Sequence, residues 1–116
     1  MHNYKELRVW QKAVELCAAV YNLCTQFPTE EKYGLKSQMQ RSAISIASNI
    51  AEGAGRNSNK EFKHFLSIAN GSCYELETQL LISKNVGFID VKNELNISQQ
   101  LTEIMKMSYV LSKSLA

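Results

Sequence analysis

The chain is poor both in residues that break helices and in residues that build catalytic centres. Five glycines and one proline serve 116 residues, too few to punctuate the short strands and tight turns of a β domain. No apolar stretch approaches the ~20 residues needed to span a bilayer, and the opening Met1-His2-Asn3-Tyr4-Lys5-Glu6 lacks the apolar run of a secretory signal. A cytoplasmic protein without a membrane partner is expected. The two histidines, His2 and His64, show no ligand spacing to the three cysteines. Cys17 and Cys24 lie one above the other on a helix, about 10 Å apart and too far for a disulfide. All three thiols, Cys73 included, read as buried. There is no Gly-rich phosphate loop, no His-Glu metal motif and no nucleophile beside an obvious base. Glu75 and Glu77 are two apart on a helix and point in different directions. Neither a catalytic centre nor a cofactor is expected.

What remains is a chain of globular composition, 45% hydrophobic and 21% charged, with apolar residues recurring at helical spacing. The spacing predicts a single all-α domain over residues 1–116, an antiparallel up-down-up-down four-helix bundle with helices at about 6–27, 35–54, 59–85 and 91–114. In the first, Leu7, Trp10, Val14, Cys17, Tyr21 and Cys24 form one stripe. A second stripe, Ala13, Leu16, Val20, Leu23 and Phe27, lies beside it, and Pro28 ends the helix. In the second helix Leu35, Met39, Ser42, Ile46, Asn49 and Gly53 mark the core stripe. Small and apolar residues such as Ala43, Ile44, Ala47, Ile50 and Ala51 spread around the rest, so this helix wants neighbours on two sides.

Ser58-Asn59-Lys60-Glu61 matches a capping box at the start of the third helix. There Phe62, Leu66, Ala69, Cys73, Leu76, Leu80 and Ser83 run down one face, with Asn85-Val86-Gly87 as the exit. Asp90 caps the fourth, whose core positions are Ile97, Leu101, Ile104, Ser108, Leu111 and Leu115. Connections of a few residues make consecutive helices antiparallel neighbours, in a bundle roughly 30–40 Å long.

Several strings carry a family resemblance. They are Leu7-Arg8-Val9-Trp10-Gln11-Lys12-Ala13, Phe27-Pro28 through Tyr33-Gly34-Leu35, Gln38-Met39-Gln40-Arg41-Ser42-Ala43-Ile44-Ser45-Ile46 and Asn49-Ile50-Ala51-Glu52-Gly53 with Arg56. Glu61-Phe62, Phe65-Leu66, Ala69-Asn70-Gly71-Ser72 and Glu75-Leu76-Glu77-Thr78-Gln79-Leu80 continue the pattern. Together, over about residues 4–90, the sequence resembles the four-helix-bundle 23S rRNA intervening-sequence, or S23, family. The resemblance implies a bundle that assembles with copies of itself as a homopentamer. It also implies kinship with the accessory protein of diversity-generating retroelements, a pentameric bundle that binds nucleic acid and a reverse transcriptase. Because the family name records a gene location rather than an activity, the resemblance says more about fold than about function.

Two groups of residues invite a functional reading. In an up-down-up-down bundle the start of the first helix, the 2–3 loop and the end of the fourth share one end. That half holds Lys5, Arg8, Lys12, Arg56, Lys60, Lys63, Lys106 and Lys113 against Glu6, Glu15, Glu52, Glu61 and Glu103, a balance of +3, against −1 for the other half. The whole chain carries only +2, but a ring would repeat this end once per subunit into a patch able to track phosphates. Arg8, Lys12, Arg56, Lys60 and Lys63 are the candidates to bind RNA or DNA backbone. The same residues read equally as a solvated lysine-rich end, and the chain would then be a scaffold for a protein partner. No aromatic-rich stacking platform accompanies the cations, which argues against sequence-specific single-strand readout.

The second group concerns assembly. The polar stripe Ser37, Arg41, Ser45, Ser48, Glu52 and Arg56 reads either as a solvated face, with Glu52 and Arg56 paired one turn apart, or as a surface turned to a subunit neighbour or a nucleic-acid backbone, with Arg56 free at the loop. A hairpin centred between Arg56 and Asn57 sets Arg41 level with Ser72 and within about a turn of Glu75, suggesting an interhelical ion pair. Gly71, mid-helix at a cost of about 1 kcal/mol, suggests a close approach by another helix. Asn49 and Glu52 complete this structural or interface group.

Overall fold

Four helices account for most of the chain: α1 (Arg8–Cys24), α2 (Leu35–Ala54), α3 (Asn59–Asn85) and α4 (Val91–Ser114). They were established in a computed structural model that describes residues 1–31 and 33–115. The boundaries have local causes. Asn3 accepts from the Lys5 N–H and opens a 3₁₀ turn over Tyr4–Glu6, and the extended backbone of Leu7 separates that turn from α1. Helix α1 therefore starts two residues later than its periodicity suggests. It also ends at Cys24 rather than Phe27, because Thr25 turns its hydroxyl back to the Asn22 carbonyl (2.7 Å) and Pro28 disfavours helical backbone at Phe27.

Thr29–Glu31 forms a 3₁₀ turn, and the Glu31 carboxylate accepts from the Leu35 N–H at 3.0 Å. An anion thus sits at the positive end of α2 and satisfies one of its orphan donors. The serine half of the α3 capping box is formed, with Ser58 Oγ accepting from the Glu61 N–H at 3.1 Å, but the Glu61 carboxylate accepts from the Ser58 hydroxyl at 3.3 Å rather than from a backbone N–H. At the other end Phe88 N donates to Ser83 O and Gly87 N to Lys84 O, the two bonds of a Schellman motif, with Gly87 at φ 84°. Asp90 Oδ1 accepts from the Asn93 N–H at 2.8 Å and starts α4.

Each helix packs on two neighbours: α1 on α2 and α4, and α3 on α2 and α4. Pairs along the seams establish that neighbours are antiparallel. Met39 meets Ser83 while Gly53 meets the Phe62–Phe65 turn, and Gln26 reaches Asn93 while Lys12 reaches Glu103. The bundle is 43 Å long and about 20 Å across.

The core positions of α3 are buried as their spacing requires, and α4 differs only at Leu111, which is half-buried. On α1 the second stripe faces the core: Ala13, Leu16, Val20, Leu23 and Phe27 are buried with Val9 and Cys24, whereas Val14 and Tyr21 of the first stripe are exposed. Both stripes are apolar, and only the neighbours' positions decide between them. On α2, Met39, Ser42, Ala43, Ile46, Ala47, Ile50, Gly53 and Ala54 are buried, with Asn49 half-buried and Ile44 exposed. Among the described residues, no helix is long and apolar enough to cross a membrane.

Candidate nucleic-acid interface

The basic end is assembled by contacts among segments far apart in sequence. His2 N donates to the carbonyl of Ala54 (2.8 Å), and its ring lies 5.1 Å from that of Phe62, tying the chain's start to the α2–α3 loop. Leu7, Arg8 and Val9 share an open groove of about 490 Å³ with Lys106, Met107, Val110, Leu111 and Ser114, joining the start of α1 to the end of α4.

The five candidate cations do not share one environment. Arg8 and Lys60 are exposed and are available to a polyanion. Lys63 is half-buried on the wall of a cavity between α3 and α4. Lys12 is committed elsewhere: its Nζ lies 3.5 Å from Glu103 Oε1 and 3.9 Å from Glu15 Oε2. Arg56 pairs with Glu52 at 3.0 Å, the one-turn pair that the sequence suggests, and lays its guanidinium over the Phe65 ring at 4.6 Å. Carboxylates one turn away, or on the facing helix, reach these two cations at little conformational cost. Phosphate would have to compete with them, so the accessible positive charge is narrower than a count of basic residues implies.

The assembly residues also differ from expectation. Arg41 and Glu75 are exposed on opposite walls of a polar groove between α2 and α3, lined with Gln38, Ser42, Ser45, Ser72 and Gln79. They are not among the ion pairs of the described residues. The register is not the obstacle. Ser45 Oγ and Ser72 Oγ meet at 2.8 Å, which moves the hairpin centre by about two residues and sets Arg41 almost opposite Glu75. Two exposed, hydrated charges gain little by closing across a groove, and the serine pair holds the seam instead. Asn49 Nδ2 completes that network by donating to Ser45 O (2.8 Å) and Ser45 Oγ (3.0 Å). Beneath the groove, Gln79 Oε1 is buried without a hydrogen-bond partner.

Within the subunit no other helix comes close to Gly71: a Cβ there would meet no heavy atom within 4 Å. Close packing belongs to Gly53, whose added Cβ would stand 2.7 Å from Phe65 Cβ and 3.0 Å from Phe62 Cδ1. The chain has room for a β-carbon at the glycine in mid-α3 and none at the glycine where α2 and α3 converge.

The sequence reading missed a pair of aromatics. Tyr74 on α3 and Tyr109 on α4 line one cavity of about 340 Å³ with Lys63, Leu66, Ser67, Asn70, Met105, Ser108 and Ser112. They are 35 positions apart and no local motif announces them. Only the antiparallel register of α3 and α4 brings them together.

A family model described as 23S rRNA-intervening sequence protein matches residues 5–110. The chain belongs to this family. A solved structure from Bacteroides thetaiotaomicron VPI-5482, described as a protein of unknown function from the S23 ribosomal protein family, is 26% identical and superposes with a TM-score of 0.83. The match covers 90% of this chain and 98% of that one. No curated protein matches. For this member of the family, the four-helix architecture expected from the motifs is therefore also found in a crystal structure. The matched span takes in most of α4, which carries no family string of its own.

Burial raises the Cys24 thiol to about 11, against a smaller opposing influence of Lys36, and raises Cys73 to about 12, with Glu77 adding to the rise. Cys17, half-buried and also raised by burial, donates to the Ala43 carbonyl at 3.0 Å. Among the described residues, no group of three or more His, Cys, Asp or Glu side chains is placed to hold a metal ion.

Proposed function

We propose that this protein is a non-enzymatic, self-assembling bundle, pentameric as its family resemblance implies, that binds the backbone of RNA or DNA at its basic end. The observation that carries the reading is the convergence of three segments, the start of α1, the α2–α3 loop and the end of α4, at one end of the molecule. The His2–Ala54 bond and the groove shared by Arg8 and Lys106 hold them there. Arg8, Lys60, Lys63 and Lys106 are outside the ion pairs of the described residues and form the working set. Self-assembly is supported by apolar surface on α1 and α2, where Val14, Tyr21 and Ile44 are exposed. A ring would multiply the basic end into a patch.

Fluorescence anisotropy with labelled RNA and duplex DNA across a salt series tests the reading. Neutralised phosphates release counterions, so affinity must fall steeply with salt. Lys60→Glu should weaken binding to all sequences alike, and absence of binding by the wild type at low salt removes the reading. Solution mass by light scattering tests assembly, with about five protomers expected and a strict monomer contradicting it.

One observation favours a second reading. The groove at Leu7, Val9, Met107, Val110 and Leu111 is almost wholly apolar, and Val110 is 67% exposed. Such a surface suits a protein partner, making the chain an accessory subunit without direct nucleic-acid contact.

A further inference from the structure

The cavity between α3 and α4 has the composition of a site for a flat, polar, aromatic ligand. Its volume of about 340 Å³ lies in the lower part of the range for small-molecule pockets. Leu66 and Met105 supply apolar lining, and Ser67, Asn70, Ser108 and Ser112 supply hydrogen-bonding groups. Asn70 is half-buried, and among the described residues nothing engages its side-chain amide.

Tyr74 and Tyr109 are 57% and 62% exposed, so much of each ring is left uncovered within the subunit. Helix polarity aims them at each other. Side chains lean toward the N-terminus of their own helix. In the antiparallel pair, Tyr109 starts nearer the basic end and leans away from it, while Tyr74 starts deeper and leans toward it. Both tyrosines line the one cavity.

Cations surround this space. Lys63 lines the wall, Lys113 Nζ stands 5.5 Å from the centre of the Tyr109 ring, and Lys106 lines an adjoining cleft with Tyr109. Aromatic faces joined to backbone-tracking lysines are what a single strand requires: bases stack, phosphates neutralise, and an amide meets a base edge. A paired base inside a duplex cannot reach a recess between two helices.

We propose that this cavity takes an unstacked base of a single-stranded nucleic acid, held by Tyr74 and Tyr109, while the flanking phosphates run along Lys63 and Lys113. The inference rests on the nucleic-acid reading above and narrows it from backbone binding to base capture.

The test compares three probes by fluorescence anisotropy across one salt series: a labelled oligouridine strand, an abasic strand of equal length, and a duplex. Tyr74→Ala and Tyr109→Ala should each weaken oligouridine binding by roughly 5- to 150-fold, the range for loss of a base–aromatic stack. Both should leave abasic-strand binding unchanged, and Tyr74→Phe should retain wild-type affinity. The salt dependence of the Ala variants should match wild type, because the same phosphates are neutralised. Wild-type oligouridine affinity in both Ala variants, or equal wild-type affinity for the abasic strand or the duplex, overturns base capture. If Lys60→Glu still weakens binding in that case, the backbone reading stands without it; if the wild type binds nothing at low salt, both fall. A change in solution mass on replacing either tyrosine would assign the rings to contact between copies and also overturn the proposal.

Discussion

Gly53 on α2 lies so close to Phe65 on α3 that a methyl group in place of its hydrogen would stand 2.7 Å from the Phe65 Cβ. The carbonyl of Phe62, 3.3 Å from the same point, closes the space from the backbone side. Neither obstacle is the loose end of a side chain. Gly53→Ala should therefore force the two helices apart. Overpacking costs about 1–3 kcal/mol and outweighs the roughly 1 kcal/mol that alanine contributes to helix propensity. Urea denaturation should show a net loss of up to about 2 kcal/mol. Gly71→Ala is the control with the opposite sign: nothing obstructs its Cβ, and a gain of about 0.5–1 kcal/mol is expected.

The start of α3 depends on Ser58, which accepts from the Glu61 N–H while the Glu61 carboxylate lies beside the hydroxyl. Ser58→Ala removes both halves of this exchange. A loss of about 1 kcal/mol is expected by denaturant titration, whereas Ser58→Asp, which keeps an acceptor and adds a charge suited to the helix N-terminus, should recover most of it. Equal stability of Ser58→Ala and wild type would show that the cap is already lost to solvent.

Most of the scaffold could be read from the sequence, and the reasons lie in particular residues. Helix α3 was legible because its face is apolar once per turn from Phe62 to Leu80 and its ends carry Ser58 and Gly87. Which stripe of α1 turns inward was not, because Val14 and Tyr21 are as apolar as Ala13 and Val20 and only the neighbouring helices choose. The candidate site was legible in its charge and not in its geometry. Spacing marked Arg56 as a partner for Glu52 but could not tell that Lys12 would meet Glu103 across the α1–α4 seam. Tyr74 and Tyr109 were invisible as a pair, since their meeting depends on an inter-helix register that no local pattern encodes.

The unpartnered Gln79 Oε1 under the α2–α3 groove makes a prediction about assembly. A buried acceptor without a donor costs about 1–3 kcal/mol, and a hydrophobic residue of similar length removes that cost. Gln79→Met should leave an isolated subunit as stable as wild type, or more stable by about 1 kcal/mol, in a thermal or urea scan. If the oxygen is instead bonded by a donor from a second copy, the substitution should lower both stability and solution mass. Measuring the two together on one sample separates these outcomes.

The thiols set an upper pH limit on the fold. Cys73 and Cys24 lose their protons near 9 in an unfolded chain, but burial holds them protonated in the bundle to about 12 and about 11. Above pH 9 the unfolded state therefore binds fewer protons than the folded state, and stability must fall as pH rises toward 11–12; below pH 9 both states are protonated and these groups add no slope. Each thiol contributes at most about 1.4 kcal/mol per pH unit within its window. Denaturant titrations of wild type at pH 8, 9 and 10 should show the decline. Cys73→Ala should be less stable at pH 8, because it opens a cavity, yet should lose stability less steeply above pH 9. A thiol-reactive chromophore at pH 8 gives a second reading of the same burial: Cys24 and Cys73 should react at the rate of global or local opening in folded protein, and promptly once urea exposes them. Immediate reaction of both in the native state would place the thiols at the surface and remove the basis of the pH limit.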